Sequence, residues 1–153
     1  MIALRMVRLI ETHSDELTAG LLSKFRASSR TADLDKVPPD ELRERAGEIL
    51  FHLSDWLLNK TEADVEQRYR EIGSRRASQG VSLSDLCWSM VMTKEHLWGF
   101  LQSRGLLNSV IDIYGQLELL RMLDQFFDRA LCFAIEGYLQ VANPHPSREA
   151  HVA

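Results

Sequence analysis

A chain of 153 residues with a net charge of −4, 45% apolar and 26% charged residues can bury one sizeable core and is too apolar to be disordered. Acidic and basic residues are interspersed from end to end, which leaves no basic arm for nucleic acid. Arg5, Arg8 and Glu11 interrupt the N-terminal apolar stretch and no apolar run reaches the ~18 residues of a membrane span, so a cytoplasmic chain with neither signal peptide nor membrane helix is predicted.

The four prolines fall in two places, a linker at 38–39 and a tail at 144–146, and between them the apolar spacing is helical with no sustained alternation. An all-α domain over 1–141 with a flexible tail over 142–153 is expected. The first helix is predicted from Ala3 to Ser28, with Met6, Ile10, His13, Leu17, Leu21 and Phe25 on one face. After a polar connection, Pro39 opens a second helix, whose stripe from Leu42 to Leu57 ends near Lys60. Thr61 and Asp64 suit a capping box for the third helix, and Gly80 stands where a C-terminal cap belongs. Ser82 or Ser84 can cap the fourth, and a last helix of about 34 residues spans Leu107 to Gln140. Cys87 and Cys132 lie inside helical patterns with no CxxC partner and are expected to be buried, reduced thiols.

Two helices carry more apolar surface than one monomer needs. The fourth has Leu83, Leu86, Met90 and Leu97 on its core face, and Trp88, Met92 and Gly99 opposite. The last is apolar on two faces, with Leu119, Met122, Phe126, Ala130 and Phe133 on the second. A homodimer follows, in which these two helices of each subunit build a four-helix interface containing Trp88, Met92, Gly99, Leu119, Met122, Phe126 and Phe133.

No enzyme signature is present: no glycine-rich phosphate loop after a strand, no nucleophile elbow and no HExxH. Helical pairs such as Glu41 with Arg45 suit a solvated face better than acid–base catalysis. Of five histidines, His145 and His151 lie in the tail and His13 on a core stripe. His52 and His96 flank apolar stripes and are the two candidate haem ligands, although neither has metal-ligand spacing to a second donor.

The run RRASQGVSL (Arg75–Leu83), the helix after it with Leu97 and Trp98, and FFDRALCFAIEGY (Phe126–Tyr138) resemble the N-terminal domains of stressosome RsbR-type proteins, the RsbT co-antagonists. That resemblance spans about Leu21 to Gln140. It implies a globin-like bundle of about five main helices without haem, dimeric, serving as the input domain of a bacterial signalling protein. Globin-coupled sensors, similar in helical plan, carry IGxxHxxxGL with a proximal histidine. Here Ile72, Gly73, Gly80 and Val81 match that frame, and Arg76 stands at the histidine position with no lone pair for iron.

The expected function is therefore a non-haem, globin-like sensory or regulatory domain that signals through a helical dimer interface to a partner protein or an output domain. Tyr69, Ile72, Arg76, Met90, His96 and Leu97 are expected around a pocket for a small apolar or acidic ligand. Arg76 would pair either with a nearby carboxylate or with an acidic head group. Two alternatives stay open: a haem-based gas sensor using His96 or His52, and a ligand-free interaction module.

Overall fold

A computed structural model describes residues 2–104 and 110–144. Six α-helices follow one another: α1 (Ile2–Thr12), α2 (Ser14–Ala27), α3 (Pro39–Phe51), α4 (Glu62–Ser78), α5 (Leu83–Ser103) and α6 (Val110–Ala142). A 3-10 segment, Ser29–Lys36, joins α2 to α3, and a π-helical turn, Asp55–Asn59, precedes α4. No strand occurs among the described residues, so the chain is an all-α, globin-like bundle with a long last helix. The start of that helix expected at Leu107, the tail beyond Pro144, His145 and His151 lie outside the described residues.

Both long N-terminal helices expected from periodicity are broken, each at a histidine. At His13 the backbone leaves helical geometry (φ −101°, ψ 20°). The imidazole Nδ1–H donates to the Leu9 carbonyl at 2.9 Å, a local bond that competes with the helical ladder, and the ring packs on Phe100. Apolar spacing survives the break, which is why the stripe looked continuous. At His52 (φ −122°, ψ 31°) α3 stops, and Lys60 N–H reaches the Asp55 carbonyl across a widened turn. Glu11 of α1 takes up the freed Ser54 N–H at 3.1 Å and its hydroxyl at 2.9 Å. The turn carries Trp56 into the core, where it meets Tyr69 and Phe126.

The expected caps are formed. Thr61 and Asp64 exchange side-chain-to-backbone bonds in a capping box, and the Ser82 hydroxyl accepts from Asp85 N–H. Gly80 has φ +79°, the left-handed conformation that ends a helix at little cost only in glycine.

The α4–α6 pair is the tightest helix contact, and two glycines make it possible. A Cβ on Gly73 would overlap the Ala134 carbonyl and lie 2.9 Å from Tyr138 N. One on Gly137 would lie 2.7 Å from the Arg70 Cα. The Ser74 hydroxyl donates to the Gly137 carbonyl at 3.0 Å across the same crossing. With backbones this close, α6 turns Leu119, Phe126, Phe127 and Ala130 into the main core. A second cluster, including Leu21, Leu22, Phe25, Leu34 and Val81, lies under the 3-10 segment. Cys87 is half-buried as a free thiol, but Cys132 is exposed, contrary to expectation, because it falls on the outer face of α6.

Candidate functional site

Residues 75–82 form a junction that four elements grip. Glu41, in the first turn of α3, accepts from Arg75 Nε at 2.9 Å, from Arg76 Nη1 at 3.3 Å and from the Gln79 amide. Gln79 in turn accepts from Arg76 at 2.8 Å. The helical pair expected between Glu41 and Arg45 is therefore not made: Glu41 reaches across to α4, and Arg45 bonds Glu48. Arg76 is only 3% exposed, so this carboxylate supplies the counter-charge a buried guanidinium requires. Burial pulls the Arg76 pKa down and Glu41 opposes it. For Glu41 itself burial works against ionisation, but the hydrogen bonds from Gln79 and Arg75 and the two arginine charges outweigh it and hold the carboxyl below its ordinary range.

The turn after α4 is clamped from both sides. The Tyr138 hydroxyl of α6 donates to the Val81 carbonyl at 2.7 Å. Ser82 N–H donates to Asp33 at 2.9 Å, and Asp33 N–H donates to Asp85 at 2.8 Å, so the 3-10 segment and the start of α5 cap each other. Tyr138→Phe leaves the Val81 carbonyl without its donor, and a loss of about 1 kcal/mol in urea unfolding is expected.

Arg76 also borders a cavity of about 80 Å³. Tyr69, Ile72 and Met90 line it with Arg76, four of the six residues expected there, and Phe25 and Phe127 complete much of the wall. Burial, and then the Glu48 charge, raise the Tyr69 phenol well above its ordinary range. The other two expected residues lie elsewhere. Leu97 is fully buried in the main core. His96 faces α2, where its Nε2–H donates to the Leu17 carbonyl at 2.9 Å and its ring sits over Gly20. Burial, followed by the charge of Lys24, lowers the His96 pKa against the effect of that bond.

A haem needs an imidazole beside an apolar slot of several hundred Å³. The cavity here is far smaller, and the cationic side chain at its wall has no lone pair to give. His96 does not line that cavity, and His52 is exposed beside Arg43, Glu44 and Arg68 in a charged outer cleft. The residues present do not suit the group. Among the described residues no cluster of three His, Cys, Asp or Glu is placed to hold a metal, and no helix is long and apolar enough to cross a membrane.

The residues expected at a dimer interface divide. Leu119 and Phe126 are buried inside the chain, Phe126 among Trp56, Tyr69 and Phe127, because the close α4–α6 crossing turns them inward. Met122 and Phe133 are partly buried against the same core, and Met92 against the second cluster. Trp88 is half-buried with the Arg30 guanidinium 3.8 Å over its ring. Gly99 is exposed, with none of the described residues within 4 Å of where its Cβ would stand. Among the described residues the most exposed large apolar side chains lie at the start of α6, where Val110, Ile113, Tyr114 and Leu117 follow one another at helical spacing, Tyr114 68% and Leu117 56% exposed.

Sequence reasoning missed Glu41 as the partner of Arg76 and Gly73 with Gly137 as a helix crossing. The second had a visible signal, since glycines inside two long helical patterns are unfavourable unless backbones must meet there.

A search of curated proteins and a search of solved structures both find no match. A protein-family model, the RsbT co-antagonist protein RsbRD N-terminal domain, matches residues 15–143, which takes in α2 to α6 with the whole Glu41–Arg76 junction and the α4–α6 crossing. The chain belongs to the RsbRD N-terminal domain family, a family of signalling input domains.

Proposed function

We propose that the chain is a non-haem sensory or regulatory module of a cytoplasmic, stressosome-type pathway. Its partner is a signalling protein of the kind the family's description names, RsbT, or an output domain. The family match across α2 to α6 carries this reading. Arg76 at the cavity wall, with Glu41 as its counter-charge, supports the absence of haem. The module signals as a homodimer through α5 and α6. The exposed stripe of Val110, Ile113, Tyr114 and Leu117 supports that, as does Gly99, a mid-helix glycine against which none of the described residues packs. A change in packing around the small cavity, transmitted by α6 to that surface, is the switching event, since packed helices move between discrete arrangements.

A cavity of about 80 Å³ admits a ligand of only a few heavy atoms, apolar or with one acidic group for Arg76. The same small volume favours, as a second reading, an interaction module that responds to its partner alone. Light scattering tests the dimer: the wild type should run at twice the chain mass at tens of micromolar, and Leu117→Glu at the chain mass. A wild type that stays monomeric there contradicts the reading.

A further inference from the structure

A second and much larger space lies away from the Arg76 junction. It is a cleft of about 760 Å³ between α2, α3 and α4, within the range of sites that take small molecules, ~300–1,000 Å³. Gly47 forms part of its lining and Phe51, 45% exposed, offers an apolar ring at its edge. On the α4 side, Arg68 meets Glu48 through two parallel bonds, Nε to Oε1 at 2.9 Å and Nη2 to Oε2 at 2.8 Å, and this pair is satisfied internally.

The other charged groups of the cleft are exposed to solvent. Asp15, Arg43, Glu44 and His52 line it, and their side chains make no hydrogen bond or ion pair among the described residues. Thr18, 4% exposed, lines it too, and its buried hydroxyl has no partner among the described residues. An orphaned buried hydroxyl is unfavourable unless something bonds it, and the bond must come from a guest that turns the Thr18 side chain or from the carbonyl one turn back in α2. The cleft thus offers an exposed cation, two exposed carboxylates and an aromatic edge, with one buried hydroxyl in its lining.

We propose that this cleft binds a small zwitterion of amino-acid size. Arg43 holds its carboxylate, Asp15 and Glu44 hold its ammonium group, Thr18 bonds the carboxylate and Phe51 covers the side chain. The geometry also links the cleft to the junction, because α3 carries Glu41 at its start and Gly47, Phe51 and His52 further along. A ligand drawing α3 toward α2 acts on the same helix that grips Arg75, Arg76 and Gln79.

Thermal unfolding of the full chain with each of the twenty protein amino acids at about 5 mM tests this, followed by calorimetry on any that stabilises. At least one should raise the midpoint, while its amide and its N-acetyl derivative, each lacking one charge, should not. Arg43→Gln and Thr18→Val should each weaken binding at least about tenfold. Thr18→Val removes an unpartnered hydroxyl and should unfold no earlier than the wild type, so its loss of binding cannot be misfolding. The proposal is overturned if no amino acid stabilises the wild type, if a singly charged derivative binds as well as its parent, or if both variants bind like the wild type.

Discussion

Gly73→Ala is expected to destabilise the chain by about 3 kcal/mol or more, a large share of the ~5–15 kcal/mol that holds a domain together. The added methyl meets backbone rather than a flexible side chain: the Ala134 carbonyl on one side and Tyr138 N at 2.9 Å on the other. Neither can move unless α6 as a whole moves away from α4. That movement would also open the Ser74–Gly137 and Tyr138–Val81 bonds, so the loss extends to the turn after α4. Gly137→Ala should behave alike, its Cβ lying 2.7 Å from the Arg70 Cα. Gly99→Ala is the control. None of the described residues lies within 4 Å of a Cβ there, so within a subunit helix propensity alone should raise stability by up to about 1 kcal/mol. Urea unfolding of the three variants at low protein concentration checks the order; equal effects at Gly73 and Gly99 would show that the crossing is looser than described.

Removing Glu41 is the second large perturbation. Glu41→Ala leaves the Arg76 guanidinium buried with only Gln79 for company, and a loss of about 2–4 kcal/mol is expected. Replacing both charges, Glu41→Leu with Arg76→Met, should recover most of it, because an apolar pair of similar volume has no charge to desolvate. The pH dependence has a definite sign. Folding holds the Glu41 carboxyl below its ordinary value of 4.5, so its contribution is full above that value and is lost as pH falls through the lower folded-state value. Stability of the wild type should therefore decline as pH falls below about 5, and the decline should be shallower in Glu41→Gln. Chemical unfolding at a series of acidic pH values measures the difference; identical slopes would place the Glu41 charge outside the stability of the fold.

Much of this architecture is legible from local chemistry. Thr61 with Asp64, Gly80 and Ser82 are caps whose backbone requirements depend on neighbours within a few residues, and each is formed. The breaks at His13 and His52 were not legible. Apolar spacing is preserved across both, and each depends on partners distant in sequence: Phe100 against the His13 ring, Glu11 under the Ser54 N–H. Arg76 was recognisable as a residue that cannot bind iron, because that follows from the side chain alone. Its partner was not recognisable, because Glu41 lies 35 positions earlier and has Arg45 at helical spacing as a more obvious mate. The outward placement of Leu117 and the inward placement of Phe126 were hidden for a similar reason. A helix apolar on two faces does not say which face its own chain will cover until a close crossing such as Gly73–Gly137 sets the rotation.

The proposed function depends most on the chain binding no haem, and an absorption spectrum tests that directly. The protein is produced with haem supplied, purified, and scanned through the Soret region, with His96→Ala and His52→Ala prepared alongside. No Soret band above that of free haem is expected in any of the three. A stoichiometric Soret band in the wild type that disappears in His96→Ala or His52→Ala would contradict it and make the chain a haem-based sensor.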